Sequence, residues 1–303
     1  MKKHTCRLGV PFLIALLGAA PAAPDPMPAP AERAVPRTHA HNDYEHAHPL
    51  FDALHEGFVG VEADVYLVGK DLRVSHEEAK DWTRVPTLED AYLTPLHRLK
   101  TRHNNGGIYA DGSRVLLLVD IKTDADRTYA RLHEVLSAYD AKTPGLFSRW
   151  EKRPRGESAS RGAIDVVITG NRPGEQMLRQ DKRYAGYDGR LTDVGRPPGP
   201  DWGRDFMPLI SDNWKAAFVN ESAWDGTGDV PAATRARMEA LVAQVHREGR
   251  MLRFWNLPKD APPVWGVLYD AGVDLINTDD LPRLAKYVRS RQAAAGANSP
   301  TSK

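Results

Sequence analysis

A helical pattern that ends in glycine and passes directly into an apolar strand occurs three times in this chain of 303 residues. The three glycines are Gly57 before 58–65, Gly249 before 251–255, and Gly272 before 273–277. A glycine just after a helix adopts the left-handed conformation that closes it, so the chain can turn straight into a strand. Repeated joins of this kind predict parallel strands that alternate with helices.

Eight segments in all have the apolar character of strands. They are 38–42, 58–65, 115–121, 164–169, 184–187, 208–211, 251–255 and 273–277. Eight strand–helix units in about 260 residues predict an α/β fold of the (β/α)₈ TIM-barrel type, with a doubly wound open sheet as the alternative. Segment 150–162 is charged and segment 184–205 is dense in Gly, Pro and Asp, so both are predicted to contain insertions.

The two ends of the chain differ in composition from the predicted barrel, which should occupy 37–292. Residues 1–22 combine basic residues, a 13-residue apolar run and a small-residue cleavage site, which is typical of a signal peptide. Residues 23–36 form a lead-in rich in Pro and Ala, and 293–303 should be a disordered tail. We expect a periplasmic or secreted protein with no stable membrane insertion after cleavage; an uncleaved N-terminal anchor is the alternative.

Charge and cysteine content exclude several classes of function. The chain has 41 basic and 40 acidic residues, a net charge of +1. This balance gives no general attraction for nucleic acid, and we expect no nucleic-acid partner. Cys6 is the only cysteine, so a disulfide framework and a cysteine-based zinc site are excluded within one chain.

Polar pairs at spacing i, i+2 stand near the C-terminal ends of four predicted strands. Side chains at this spacing lie on one face of a strand, and the C-terminal strand ends of a barrel converge on the active site. The pairs are His39/His41, Glu62/Asp64, Asp120/Lys122 and Arg253/Trp255. The sequence therefore predicts a polar site at this end of the barrel.

Carboxylates in these pairs predict a metal site. Glu62 and Asp64 would repel one another, so a cation between them is the natural resolution, and Asp120 can add a third carboxylate. Oxygen donors without a thiolate suit Mg²⁺ or Ca²⁺ better than zinc. A structural salt bridge to Lys or Arg is the alternative.

Two histidines are candidates for proton transfer at this site. His41 stands at the end of the first predicted strand, and His76 follows a short β-like segment at 71–75. On opposite sides of a metal, they would act as general base and general acid. A packed or surface histidine is the alternative for each. His39 either faces the same site or orients His41.

The ordered set of motifs resembles the phospholipase C-like phosphodiesterase superfamily. This superfamily includes glycerophosphodiester phosphodiesterases, phosphatidylinositol-specific phospholipases C and spider-type sphingomyelinases D. The motifs are His-Asn-Asp-Tyr at 41–44, Val-Glu-Ala-Asp-Val at 61–65, His76, Asp-Ile-Lys at 120–122 and Asn-Thr-Asp-Asp at 277–280. The chain resembles most the branch that contains the altered inheritance of mitochondria protein 6.

The resemblance implies a TIM barrel, one divalent cation (Ca²⁺ or Mg²⁺) and hydrolysis of a small-molecule or lipid phosphodiester, and we expect a monomer. It assigns catalysis to His41 and His76. It assigns the metal to Asn42, Glu62, Asp64 and Asp120. It assigns substrate binding to Lys122, Trp255 and Asn277.

Departures from the glycerophosphodiesterase pattern bear on the substrate. Asn42-Asp43 stands where those enzymes have Arg-Gly, and Glu77 stands where they have Asp, which argues against glycerophosphodiesters but leaves the chemistry intact. Two other functions stay open. An amidohydrolase-like metallohydrolase would use His39 and His41, although the last four predicted strands carry no further histidine. A catalytically inactive barrel would bind lipid or sugar phosphates, although the complete histidine and carboxylate set argues against it.

Overall fold

The computed structural model describes residues 27–103, 106–153, 156–197, 199, 201–218 and 224–297. The predicted signal peptide, 1–22, lies outside these residues. The strands are β1 (Val35–Ala40), β2 (Phe58–Val68), β3 (Asp71–Val74), β4 (Val115–Ile121), β5 (Arg149–Arg153), β6 (Gly156–Ser160), β7 (Ile164–Gly170), β8 (Lys182–Arg183), β9 (Ala185–Gly189), β10 (Leu209–Asn213), β11 (Met251–Trp255) and β12 (Ile276–Thr278). The α-helices are α1 (Phe51–His55), α2 (Thr94–Arg102), α3 (Ala125–Lys142), α4 (Gly174–Arg179), α5 (Trp214–Phe218), α6 (Ala232–Arg247), α7 (Pro262–Ala271) and α8 (Leu281–Ala297). Shorter helical turns lie at Asp43–Glu45, Trp82–Arg84, Glu89–Leu93 and Leu191–Asp193.

Eight of the strands form the predicted barrel. They lie side by side in the order β11, β10, β9, β7, β4, β2, β1, β12, and all neighbouring pairs are parallel. The ring closes between β11 and β12 through backbone pairing of Arg253 with Leu275. The N–H groups of Asp274 and Leu275 donate to the carbonyl of Leu252 there, at 3.1 and 3.3 Å. The chain therefore folds as a mostly parallel, nearly closed (β/α)₈ barrel.

Both ends of the barrel extend beyond their predicted limits. β1 begins at Val35, ahead of residue 37, because the Val35 N–H donates to the carbonyl of Gly57 (2.7 Å) and the Val35 side chain is buried. α8 continues to Ala297, although 293–303 was predicted to be a disordered tail. Alanine has the highest helix propensity, which accounts for helix at 293–295.

The two predicted insertions differ in structure. Strands β5 and β6, which cover most of 150–162, pair as an antiparallel hairpin, and β8 joins β5 in a three-stranded sheet beside the barrel. Segment 184–205 instead starts with the barrel strand β9, which pairs with β7 and β10. This Gly-rich segment therefore contributes a strand to the core of the barrel.

Inward-facing residues of the barrel change from apolar to polar along the strands. The cluster at one level comprises Leu116, Leu118, Val167, Leu209 and Leu275. Two residues after Leu118, Val167, Leu209 and Leu275 stand polar residues, Asp120, Thr169, Ser211 and Asn277. Since successive inward positions are two apart, the apolar cluster forms a floor and the polar residues stand above it at the C-terminal strand ends. No helix in the described part of the chain is long and apolar enough to cross a membrane.

Candidate active site

A cavity of about 350 Å³ lies at the C-terminal end of the barrel strands. Every predicted catalytic and metal-ligating residue lines it, together with Lys122 and Trp255. Asn277 instead lines an adjoining cavity of about 180 Å³, with His41 and Asp279. The strand ends therefore bring the predicted site residues to one place.

Pairing of β2 with β4 brings the three carboxylates together. Asp64 lies opposite Asp120 in the register, and Glu62 lies one inward position earlier on β2. One oxygen of each carboxylate lies within 4.8 Å of an oxygen of the other two. Glu62 and Asp64 are buried, and buried charges require a compensating partner. These three carboxylates could hold a cation through oxygen ligands.

Lys122 supplies part of the compensating charge. Its Nζ lies 2.9 Å from Oδ2 of Asp64 and 3.3 Å from Oδ1 of Asp120. Burial raises the pKa of Asp120 to about 6, with the charges of Asp64 and Glu62 adding to the rise and Lys122 opposing it. Burial would lower the pKa of Lys122, but its two carboxylate partners raise it. Lys122 and Arg253, which pairs with Glu62, are thus two positive charges beside three carboxylates, so the salt bridges foreseen as the alternative are present and one negative charge stays uncompensated.

Glu62 is held by a buried arginine. Nη2 of Arg253 donates to Oε2 of Glu62 at 2.6 Å, and Nε donates to Oδ1 of Asn277 at 2.8 Å. Burial acts to raise the pKa of Glu62, but Arg253 and the neighbouring His39 hold it below its usual range. Asn277 thus contributes by orienting Arg253.

His39 is fully buried beside Glu62, whereas His41 lines the cavity. Nε2 of His39 lies 3.4 Å from Oε2 of Glu62. Burial and the charge of Arg253 lower the pKa of His39 to about 4, so its ring is neutral at neutral pH. His39 therefore contacts Glu62 from the buried side and does not line the cavity with His41. This arrangement weighs against a metal site that uses both histidines.

His41 is oriented by a carboxylate from the opposite end of the barrel sequence. Its Nδ1 lies 2.9 Å from Oδ1 of Asp279, just after β12. Burial acts to lower the pKa of His41, but the hydrogen bond to Asp279 raises it overall. With Nδ1 engaged, Nε2 is the nitrogen that can exchange a proton with a bound molecule. Asn42 follows with a positive φ of 46°, and its side chain makes no capping hydrogen bond to the next turn.

His76 is placed over Asp64 by the β2–β3 hairpin. Val65 pairs with Val74, and the Ser75 N–H donates to the carbonyl of Asp64 at 3.1 Å. Nδ1 of His76 then lies 3.1 Å from Oδ2 of Asp64. The ring is half exposed, and its Nε2 lies 4.0 Å from Oε1 of Glu77, a largely exposed side chain. His41 and His76 thus approach the carboxylate cluster from two different loops.

Tyr44 and Asp279 belong to motifs that were recognised in the sequence, but the sequence gave them no role. The Tyr44 hydroxyl donates to Oδ2 of Asp64 at 2.8 Å and lies 3.1 Å from Nδ1 of His76. Burial and the charge of Asp64 raise the pKa of Tyr44, so the hydroxyl keeps its proton. Tyr44 therefore links His76 to the carboxylate cluster.

Gly170 and Arg190 also line the cavity and were not predicted. Gly170 has φ +67°, and a Cβ there would overlap the Asp120 carboxylate, so only glycine fits. Arg190 follows β9 directly, and a basic residue at a strand end is the signal that could have identified it. That signal was obscured because 184–205 was interpreted as containing an insertion.

Comparison with known proteins identifies relatives of the whole barrel. The model of the AIM6-like phosphodiesterase domain matches residues 32–188. Altered inheritance of mitochondria protein 6 of Eremothecium gossypii is 30% identical, over 83% of this chain and 69% of that protein. Its homolog in Arthroderma benhamiae is 26% identical, over 82% of each. Among solved structures, a candidate glycerophosphodiester phosphodiesterase from Galdieria sulphuraria aligns with a TM-score of 0.49 and 11% identity, over 86% of this chain and 100% of that chain.

Proposed function

Since the chain belongs to the AIM6-like phosphodiesterase family, we propose that it hydrolyses a phosphodiester with the help of one bound divalent cation. One observation carries the proposal: a single cavity presents two histidines and three clustered carboxylates. Phosphodiester cleavage needs a group that takes a proton from the nucleophile, a group that protonates the leaving oxygen, and positive charge near the phosphoryl oxygens. The cavity offers residues for all three tasks.

Glu62, Asp64 and Asp120 would hold the cation, with Asn42 as a further oxygen donor. The fit rests on the donor set, which contains only oxygen, and on the one negative charge of the cluster that Lys122 and Arg253 leave uncompensated. Such ligands suit Ca²⁺ or Mg²⁺. When bound, the cation would stabilise negative charge on the phosphoryl oxygens.

The two histidines would exchange protons with the substrate. Asp279 engages Nδ1 of His41, and Asp64 and Tyr44 engage Nδ1 of His76, so Nε2 is the nitrogen of each ring that would take this role. Nε2 of His76 lies 4.0 Å from the exposed carboxylate of Glu77, which a substrate would displace. One histidine accepts the proton of the attacking water or substrate hydroxyl, and the other protonates the leaving oxygen. Lys122 adds a donor beside the phosphoryl oxygens.

Turnover of bis(4-nitrophenyl) phosphate by the purified protein tests the proposal. We expect cleavage that a chelator abolishes and that added Ca²⁺ or Mg²⁺ restores, because the carboxylates repel one another without a cation. Chelation should also lower the melting temperature, since a ligand bound only to the folded state stabilises it. Activity that is indifferent to the chelator would contradict the metal assignment. Binding of the diester without cleavage would favour an inactive phosphate-binding barrel.

We also propose that the protein is exported. The support is the basic start, short apolar run and small-residue site in 1–22. Mass spectrometry of the mature protein should find an N-terminus near Ala23 in the periplasmic or secreted fraction. Recovery of the chain with an intact Met1 from the cytosol would contradict this.

A further inference from the structure

Arg190 stands on the side of the cavity away from the two histidines. It follows β9, the fifth strand of the barrel when β1 is counted as the first. In an eight-stranded ring the first and fifth strands face one another. His41 follows the first strand, and His76 follows the hairpin of the second, so Arg190 faces them across the mouth.

The guanidinium of Arg190 is fixed at one nitrogen. Nη1 donates to Oδ2 of Asp188 at 2.8 Å and to the carbonyls of Gly189 and Ser211 at 3.0 and 3.3 Å. Asp188 is fully buried, and the same oxygen accepts from the hydroxyls of Thr169 and Ser211, at 2.7 and 2.5 Å. This network fixes the orientation of Arg190, and Asp188 offsets the cost of its partial burial.

The remaining edge of the guanidinium is open. Among the residues that the structure describes, Nε and Nη2 of Arg190 have no hydrogen-bond partner, and the side chain is 26% exposed at the cavity. Arg253, by contrast, uses both Nε and Nη2 within the protein, and Lys122 lies between two carboxylates. Nε and Nη2 form the planar fork that binds phosphate or carboxylate through two parallel hydrogen bonds.

Distance along the sheet separates this fork from the reacting group. A phosphodiester between His41 and His76 lies over β1 and β2, with Lys122 at the end of β4. Neighbouring strands are about 4.8 Å apart, so β9 lies about 10 Å from β4 along the sheet, with β7 between them. Arg190 is therefore placed to meet a different part of the bound molecule.

We propose that Arg190 binds a second anionic group of the substrate, a phosphate monoester or a carboxylate, separate from the reacting phosphodiester. This inference rests on the proposed function of the cavity. The preferred substrate is then a phosphodiester that carries another anionic group a short linker away. Arg190 is its specificity-determining residue.

Binding of short anions, without turnover, tests this proposal. Calorimetry with the cation-loaded protein compares propane-1,3-diol bisphosphate with propyl phosphate, which lacks the second anion. A charge-assisted pair of hydrogen bonds should make the bisphosphate bind at least about tenfold more tightly. 4-Phosphooxybutanoate, with a carboxylate in place of the second phosphate, shows which anion the fork prefers.

Arg190→Gln and Arg190→Lys should reduce the preference for the bisphosphate over propyl phosphate to about twofold or less. The affinity for propyl phosphate itself should stay unchanged. The lysine variant keeps a positive charge beside Asp188, so it guards against misfolding as the cause. Arg172→Lys is the matched control. Arg172 donates to the backbone carbonyl of Asp188 and lies over the ring of Tyr187, but it does not line the cavity. The Arg172→Lys variant should prefer the bisphosphate over propyl phosphate as strongly as the wild-type protein does.

The proposal is overturned if the wild-type protein shows no preference or if the Arg190 variants retain it. An equal loss of affinity for both probes would also overturn it, because Arg190 would then serve the reacting phosphate. Absence of diester turnover with an intact bisphosphate preference would contradict the proposed function and not this inference.

Discussion

Partners that are distant in the sequence set the chemistry of single side chains in this cavity. His41 lies 2.9 Å from Asp279, 238 positions later, and Arg253 is bonded to Glu62, 191 positions earlier. The first contact joins the neighbouring strands β1 and β12, whereas the second crosses the barrel interior from β11 to β2, with β12 and β1 between them. The protonation of His41 therefore depends on a carboxylate supplied by the last strand of the ring.

Replacement of Asp279 by Asn should shift the pH dependence of turnover. The hydrogen bond to Asp279 raises the pKa of His41, so loss of the negative charge should lower that pKa. Whether His41 is the base or the acid, its limb of the kcat/KM profile then moves to lower pH. Asp280→Asn, next to it in the chain, is the control and should leave the profile in place. A profile unchanged by Asp279→Asn would show that His41 does not control either limb.

Most of the cavity residues could be predicted because they carry a local signal. Polar pairs such as Glu62 and Asp64 at strand ends are visible without knowing which strands are neighbours. The roles of Tyr44 and Asp279 could not be predicted, since they depend on contacts between distant segments. The burial of His39 was also not visible, because spacing alone places it on the same face as His41.

The loop between β1 and α1 carries His41 and Asn42 and is anchored by a buried carboxylate. Oδ2 of Asp43 accepts from the Leu50 N–H at 2.6 Å and from the Tyr92 hydroxyl at 2.8 Å. Burial raises the pKa of Asp43 to about 7, although these two hydrogen bonds oppose the rise. Between about pH 4 and pH 7 the folded state therefore keeps this carboxyl group protonated. In the unfolded chain the carboxyl has its ordinary pKa of 3.8 and has lost the proton over this range.

This difference in pKa predicts how stability changes with pH. The stabilising effect of protonated Asp43 is complete below about pH 4 and is lost as the pH rises through about 7. The side chain of the Asp43→Asn variant cannot ionise. The melting temperature of this variant should therefore rise relative to that of the wild type as the pH increases from 5 to 8. Asp81→Asn, at an exposed position, should show no such trend. A difference between Asp43→Asn and wild type that stays constant over this range would contradict the assignment.

Elements with a strong apolar pattern were predicted well, and short or glycine-rich ones less well. β4 has the predicted limits because its apolar run, covered on both faces, is distinctive. β11 also has the predicted limits, although it is a short strand with Arg253 at its centre. The hairpin β5–β6 was predicted only as an insertion, since its charged residues carry no core pattern. Strand β9, which reads Ala-Gly-Tyr-Asp-Gly, was predicted at 184–187 and lies at Ala185–Gly189, since its two glycines leave its limits poorly marked.

At the scale of the whole molecule, the barrel could be predicted from the repeated helix–glycine–strand joins and the strand count. Closure of the ring, which the barrel prediction implies, depends on a single backbone pairing between β11 and β12 with supporting hydrogen bonds. Family membership agrees with the motifs, since the ordered set from His41 to Lys122 lies within the matched residues 32–188. Direct parallel pairing of β12 with β1 is what brings Asp279 beside His41.

Turnover of bis(4-nitrophenyl) phosphate by His41→Ala and His76→Ala, at saturating cation, tests the central claim most directly. Loss of the histidine that accepts the proton of the nucleophile should lower kcat by about 10²–10⁴-fold. Loss of the histidine that protonates the leaving oxygen should have this effect on a phosphodiester with an alcohol as leaving group, and a smaller one on bis(4-nitrophenyl) phosphate, because 4-nitrophenolate leaves without protonation. His103→Ala, at the end of α2 and outside the cavity, is the matched control and should keep the wild-type rate. His39→Ala should lose much less than the more impaired of the two cavity variants, because His39 only supports Glu62. If His41→Ala and His76→Ala cleave the diester at the wild-type rate, or if His39→Ala is inactive while His41→Ala keeps most of its rate, the two-histidine mechanism is wrong.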